Sequence, residues 1–283
     1  MIRPLNVEEA PFTPMLPLIP DGIAPAWYYV FVGSAVLITG ISKSGFGGGV
    51  GILAIPLMSL AVGPRHMLGM MLPLLIVCDL FANAHHLGHY DWKRLRWMVP
   101  GMVLGIAVGT GLLVILRGRT PEEFNRVLNG LVGGICLAVV LMQAYRLTGR
   151  EIPTLPPHPA SAAAVGVIAG GISTLNHSAG PIVAVYLLQE KLEKRVLVGT
   201  LLLYFLIGNT LKLPTYLLLP MADGNPIITL QSLRDSIWFI PLIPVGTLIG
   251  AWLHHRVAER PFAAIMYIAA GITAGKMVWN ALV

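Results

Sequence analysis

The sequence predicts an all-α polytopic membrane protein made of two homologous repeats, each an interrupted helix pair followed by three transmembrane helices. Three observations predict it. The chain is 55% hydrophobic and 11% charged, with a mean hydropathy of +0.75, whereas a soluble domain carries roughly 25% charged residues. Apolar stretches close to the roughly 20 residues that span a bilayer recur along the whole length and leave no room for a separate soluble domain. Finally, the second part of the chain repeats the first at fixed offsets.

Taken in order, residues 1–25 form a proline-rich segment (Pro4, Pro11, Pro14, Pro17, Pro20, Pro25). It lacks the basic region, apolar run and small-residue cleavage site of a signal peptide, so no cleaved leader is expected. Apolar helices follow near 26–42, 50–62, 66–84, 96–117 and 122–147, then near 161–175, 180–190, 195–218, 235–256 and 262–282. The two sets make membrane repeats over 26–150 and 151–283. At a shift of 130, Gly40 falls on Gly170, Arg65 on Arg195 and Gly69 on Gly199. Beyond an insertion near 221–226 the shift is 141, and Trp97 falls on Trp238, Pro100 on Pro241, Gly105 on Gly246, Gly109 on Gly250 and Arg119 on Arg260. So many Gly, Pro, Trp and Arg matches at two offsets argue for duplication rather than chance.

The most informative stretch is Thr39 to Gly49, which cuts a hydrophobic segment in two and puts Lys43 at the cut. Glycine runs hold a helix poorly, and backbone freed at membrane depth is tolerated only where it is buried in protein or lines a wet cavity. The glycines stand before a second half-helix, whose exposed N–H groups and positive dipole end favour an anion. The second repeat breaks at the corresponding place, Ile172 to Pro181, where Pro181 suits a first helical turn. Matching breaks in two repeats point to a secondary-transporter site at the repeat interface.

Two arrangements follow. If each broken pair returns to its own side, the halves are inverted, and Lys93, Arg94, Arg96, Arg146, Arg150, Lys191, Lys194, Arg195, Arg256 and Arg260 share one side. Arg3, Arg65, Arg117, Arg119, Arg126 and Arg234 then lie on the other, a ten-to-six bias that marks the first side cytoplasmic. If each pair crosses once, the halves are parallel and the split is nine to seven. In either case the net charge of +6 belongs to short loops and sets topology, so nucleic acid is not an expected partner.

The run Gly45-Phe46-Gly47-Gly48-Gly49 leading to Pro56-Leu57, echoed by His177-Ser178-Ala179-Gly180-Pro181 leading to Tyr186-Leu187-Leu188, resembles the TauE/SafE sulfite exporter family, also called the toluene-sulfonate uptake permeases. The resemblance runs from about residue 26 to the end. It implies transport of sulfite, sulfonates or related organosulfur anions across the bacterial inner membrane. The second break departs from the family pattern, with His177, Ser178 and Ala179 in place of glycines.

Such an anion presents three oxygens in a small volume, so a suitable site offers several donors and about one positive charge. The candidate substrate contacts are Ser42, Lys43, Ser44 and the amides of Gly47, Gly48 and Gly49 from the first break, with Ser173, Thr174, Asn176, His177 and Ser178 from the second. Lys43 could instead snorkel to the surface or brace the fold, and the hydroxyls could cap freed backbone. Asp79 lies inside the 66–84 helix, and the 130-residue shift sets Asn209 opposite it. An acid at that depth needs a partner, Lys43 or Lys212, and serves either as an ion pair or as carrier of a coupling proton. Lys212 sits near enough to a helix end for its stem to reach the interface.

His85 and His89 have the spacing of two ligands on one helix face, but the run from Asn83 to Asp91 reads as a solvated cluster at a helix end, with no metal expected. A cation permease using His85, His86, His89, His177 and Asp79 is the alternative function, and a membrane scaffold is a third. The tryptophans read as interface anchors, Met67, Met70 and Met71 as lipid-facing or packing residues, and Pro73, Pro100, Pro241 and Pro244 as kinks. Cys78 and Cys136 lack a C-x-x-C pattern and read as buried hydrophobes. No P-loop, nucleophile elbow, paired catalytic carboxylates or H-E-x-x-H occurs, so neither an enzyme nor a cofactor is expected. The expected partners are a small anion, membrane lipid and a coupling proton or sodium ion.

Overall fold

The structure, a computed structural model, describes residues 19, 23–45, 51–149, 155–156, 158–256 and 259–283. Among these every regular element is helical. In the first half of the chain they are α1 (Pro25–Gly45), α2 (Ala54–Val62, entered through a 3-10 turn at Gly51–Leu53), α3 (Pro64–Asn83), α4 (Trp92–Leu116) and α5 (Pro121–Leu147). The second has α6 (Pro159–Asn176), α7 (Gly180–Gln189), α8 (Lys194–Leu218), α9 (Leu230–Phe239), α10 (Leu242–Arg256) and α11 (Glu259–Leu282). Six of the described helices are long and apolar enough to cross a membrane, or seven if α9 and α10 count as one bent span. The protein is a polytopic membrane protein.

Local chemistry sets the boundaries. Prolines stand in the first turn of α3, α5, α6 and α7, where a missing N–H costs nothing. Thr120 and Glu123 form a capping box on α5, and Thr229 and Ser232 one on α9. The Asp91 carboxylate caps the Arg94 amide, which starts α4 one turn before the expected residue 96. The helix expected over 235–256 is not continuous. It begins at Leu230 and breaks before Leu242 with a 46° bend, because Pro241 removes an N–H and its ring clashes with the preceding turn. Pro73, Pro100 and Pro214 lie inside helices.

Glycine faces establish which way the helices run. A Cβ at Gly101, Gly105 or Gly109 of α4 would lie 2.1, 2.1 or 3.0 Å from the carbonyl oxygens of Ala163, Val167 and Gly171 on α6. The numbers rise together, so α4 and α6 are parallel. In the same way Gly246 and Gly250 of α10 would meet the carbonyl oxygens of Leu37 and Ile41 on α1 at 2.8 and 2.6 Å. Positions 141 apart on one helix thus meet positions 130 apart on its partner, the same two offsets seen in the sequence. The α5–α11 pair runs the other way, Gly130 facing Ala281, Gly133 facing Ala274 and Gly271 facing Val140. Such small-residue faces let membrane helices approach backbone to backbone.

Both broken pairs turn back toward the end where they start, although α1 and α6 are themselves long enough to cross a membrane. Arg94, in the first turn of α4, bonds Glu190, just past the end of α7, and the Asp91 amide donates to Thr200 near the start of α8 at 2.9 Å. Because α6 runs in register with α4, it starts at that same end, and α7 returns to it. At the opposite end, Arg65 near the start of α3 bonds Asp223 and the Asn225 carbonyl in the connection before α9. The chain α9–α10 accompanies α1, with Tyr28 beside Phe239 and Gly33 beside Leu242. So α3 starts where α1 starts, and α2 returns there. The single-crossing arrangement does not occur.

Several peripheral expectations meet particular geometry. The six tryptophans are all at least 42% exposed, as lipid-facing anchors require. Met67, Met70 and Met71 are buried packing residues. The helix α3 ends at Asn83, followed by a 3-10 turn over Ala84–His86 and Gly88 at φ +80°, so residues 85 and 89 do not share an α-helical face. His89 Nδ1 instead donates to the Leu87 carbonyl at 2.9 Å.

Candidate functional site

A partly open cavity of about 700 Å³, mouth included, lies between the two re-entrant pairs and α3 and α8. From the first pair come Thr39, Ser42, Lys43, Gly51, Ile52 and Ile55, and from the second Ser173, His177, Ser178, Gly180 and Pro181. Met71 and Leu75 of α3 and Val198, Leu201, Leu202, Phe205 and Asn209 of α8 complete the wall. The 3-10 turn starting at Gly51 and the helix starting at Gly180 both present their N-termini to this space, the positive ends of two backbone dipoles.

Lys43 and Asp79 form a buried ion pair, and Asn209 Nδ2 donates to the other carboxylate oxygen at 2.7 Å. The remaining ammonium protons of Lys43 have no acceptor among the described residues, while its Nζ stands 5.8 Å from the Phe205 ring centre. Lys43 therefore neither snorkels nor is used up by its partner. Ser42 is 1% exposed, and its hydroxyl has no hydrogen-bond partner among the described residues. A Cβ at Gly51 would come within 3.0 Å of that oxygen, so glycine keeps the approach to Ser42 open.

Lys212 is fully buried and does not reach the interface. Its Nζ donates to the Ser173 carbonyl at 3.1 Å, Ser173 Oγ at 2.8 Å and His177 Nδ1 at 3.1 Å. Three acceptors match the three protons of an ammonium group. None is a carboxylate, so the cluster holds two lysine side chains against one acid. Because Lys212 engages a lone pair of Ser173 Oγ, the serine keeps its own proton to donate. His177, accepting at Nδ1, is held as the tautomer that donates Nε2–H to the Leu68 carbonyl at 3.3 Å. It sits at φ +59° in the left-handed region, a helix C-terminal position where glycine is the unstrained choice and a bulky side chain costs about 1–2 kcal/mol.

Other sequence candidates are placed elsewhere. Ser44 donates to the carbonyls of Gly40 and Thr247 at 2.9 and 2.8 Å and packs α1 on α10. Thr174 bonds back to the Gly170 carbonyl at 2.8 Å. Asn176 accepts from the Ser178 amide and hydroxyl at 3.0 and 2.6 Å, tying down the second break. Its Nδ2 has no partner among the described residues. Gly47, Gly48 and Gly49 lie outside the described residues. Sequence reasoning missed Thr39, Gly51 and the apolar wall around Phe205. The apolar residues carry no signal distinguishing them from packing, but Gly51 closes the glycine run and could have been included. Among the described residues no group of three or more His, Cys, Asp or Glu could hold a metal ion.

Two broken helix pairs facing a largely apolar cavity with a polar end, within a bundle of helices apolar enough to span a membrane, fit a membrane transport protein. More particularly, the chain belongs to the TauE/SafE sulfite exporter family, whose model matches residues 32–277. No curated protein matches it. No solved structure does either.

Proposed function

We propose that the protein is a secondary transporter that carries sulfite, a sulfonate or a related small organosulfur anion across the bacterial inner membrane, binding it in the cavity between the two broken pairs. The observation that carries this reading is the meeting of two buried lysines with a single carboxylate beside a cavity with open donors. Lys43 supplies the charge-assisted donor, Ser42 and Ser173 supply hydroxyls from opposite pairs, and the helix starts at Gly51 and Gly180 add dipoles. Lys212 acts at one remove by orienting Ser173. The strained His177 is what a site pays to hold Lys212 in place, and strain at such a position is itself a pointer to function. Apolar walls from Ile55, Leu75 and Phe205 suit an anion with a carbon tail.

The halves are inverted copies. Equivalent positions on the α1–α10 and α4–α6 seams and the antiparallel α5–α11 pair support this. The end carrying Arg94 and Glu190 is cytoplasmic by the ten-to-six charge bias. The cavity reaches along α8 to Val198, near its start at that end, while Tyr216 is buried toward the other. Transport proceeds by alternating access, driven by a proton or sodium gradient or by the membrane potential, with Lys43–Asp79 as the coupling pair. The cation alternative finds Asp79 already engaged by Lys43 and Asn209.

Proteoliposome flux tests the proposal. Sulfite, short alkyl sulfonates and aryl sulfonates are offered under imposed proton, sodium and voltage gradients, and at least one is expected to move. If none moves and Lys43→Ala binds the panel as the wild type does, the reading fails.

A further inference from the structure

A second cavity, of about 420 Å³, lies at the end of the bundle where α4 and α6 begin and α7 ends. Lys93, Arg94, Arg96, Trp97, His158 and Glu190 are among its lining residues. Arg94 bridges Asp91 and Glu190, one guanidinium against two carboxylates. Lys93 and Arg96 are exposed and have no carboxylate partner among the described residues. Arg96 lies over the Trp97 ring, 5.5 Å from its centre, which steadies the guanidinium beside the cavity. His158 Nδ1 accepts the Ala160 amide at 3.1 Å, so the imidazole proton is on Nε2 and free to donate. The cavity thus gathers an ammonium, a guanidinium and an imidazole N–H, and among the described residues its two unpaired cations outnumber the one carboxylate charge left over from the Asp91–Arg94–Glu190 cluster.

Its depth selects the ligand. Trp97 lines the cavity at 42% exposed, Trp92 beside Lys93 in the chain is 62% exposed, and indole rings seat at the headgroup level of a bilayer. Basic pockets between spanning helices at that level take lipid head groups. We propose that this cavity binds the phosphate of an anionic phospholipid, with Lys93 and Arg96 as the principal contacts and His158 as a third donor. The bound lipid would seat between the start of α4 and the end of α7, its phosphate on the side of Lys93 and Arg96 away from Glu190.

Thermal unfolding of the purified protein in detergent, with phosphatidylglycerol or phosphatidylcholine added, tests this without any transport measurement, so its failure would leave the proposal for Lys43 untouched. A lipid that binds the folded state raises the unfolding temperature. Phosphatidylglycerol is expected to raise it by several degrees more than phosphatidylcholine, and K93A/R96A is expected to lose that excess. The control R117A/R119A, at the opposite end, is expected to keep it. Equal shifts from the two lipids, an excess that survives in K93A/R96A, or an excess lost in the control would overturn the proposal. If inorganic phosphate alone reproduces the whole excess, the pocket takes a free oxyanion and the lipid assignment falls.

Discussion

Replacing Asp79 by asparagine tests the charge arrangement at the cavity most directly. Asp79 is fully buried, and its two oxygens hold Lys43 and Asn209. Without the carboxylate, Lys43 and Lys212 become two ammonium groups with no acid between them. Removing one member of a buried pair costs about 3–5 kcal/mol, because the stranded charge keeps its desolvation penalty, whereas replacing both members by apolar side chains is often neutral or better. Asp79→Asn should therefore lower stability by about 3–5 kcal/mol, and the double variant Lys43→Met/Asp79→Leu should recover most of it. Denaturant unfolding in detergent micelles measures both. The recovered double variant should still lose sulfite and sulfonate binding, which separates the role of Lys43 in the site from any role in folding. An Asp79→Asn protein as stable as the wild type, or a double variant no better than the single, would refute the pairing argument.

Ser42→Ala and Ser173→Ala each remove one hydroxyl facing the proposed anion, and each should weaken binding by about 1.5–3 kcal/mol, on the order of tenfold or more in the dissociation constant. Gly105→Ala forces a Cβ to 2.1 Å from the Val167 carbonyl oxygen and should cost about 1–3 kcal/mol. Gly111→Ala, on the same helix with open space around it, should instead gain up to about 1 kcal/mol from helix propensity. In the connection before α9, Arg65 pulls the Asp223 carboxyl down to about 2 from its ordinary 3.8. A depressed acid contributes stability that is whole above its ordinary value and lost as pH falls through its folded one. Protection of the amides over 221–227, taken relative to their intrinsic exchange rates, should therefore hold steady from neutral pH to about 4 and fall below it, and Arg65→Ala should lower the protection at neutral pH and flatten that fall.

Much of the helical plan was legible because membrane helices leave strong marks: long apolar stretches, prolines in first turns and glycines that recur at fixed offsets. The place where the chain breaks inside the membrane was legible for the same reason, since Ile172–Pro181 offers too many polar groups for a lipid-facing helix. What could not be read was direction. Ser44 and Thr174 look like Ser42 and Ser173 in sequence, yet one pair bonds backbone carbonyls and the other faces the cavity. Distance along a helix also misleads. Lys212 seemed near enough to an end to reach water, but Ser173 and His177 from another helix hold its head inside. The break at Ile240–Pro241 was visible as a proline, but a bend of 46° needs the packing of α9 against α3 as well, through His66–Asp235 and Ser236 to the Met70 carbonyl.

The glycine seams carry a consequence for how such a protein could rearrange. Each seam clasps a re-entrant helix of one repeat to a spanning helix of the other, α1 to α10 and α6 to α4, with carbonyl groups almost touching where side chains would normally stand. Sliding one sequence half over the other would have to pry both clasps open at once. The bodies free to tilt are instead interleaved ones, each drawing its parts from both ends of the chain, so a cross-link across either clasp should leave turnover intact while one between the two clasped bodies should stop it.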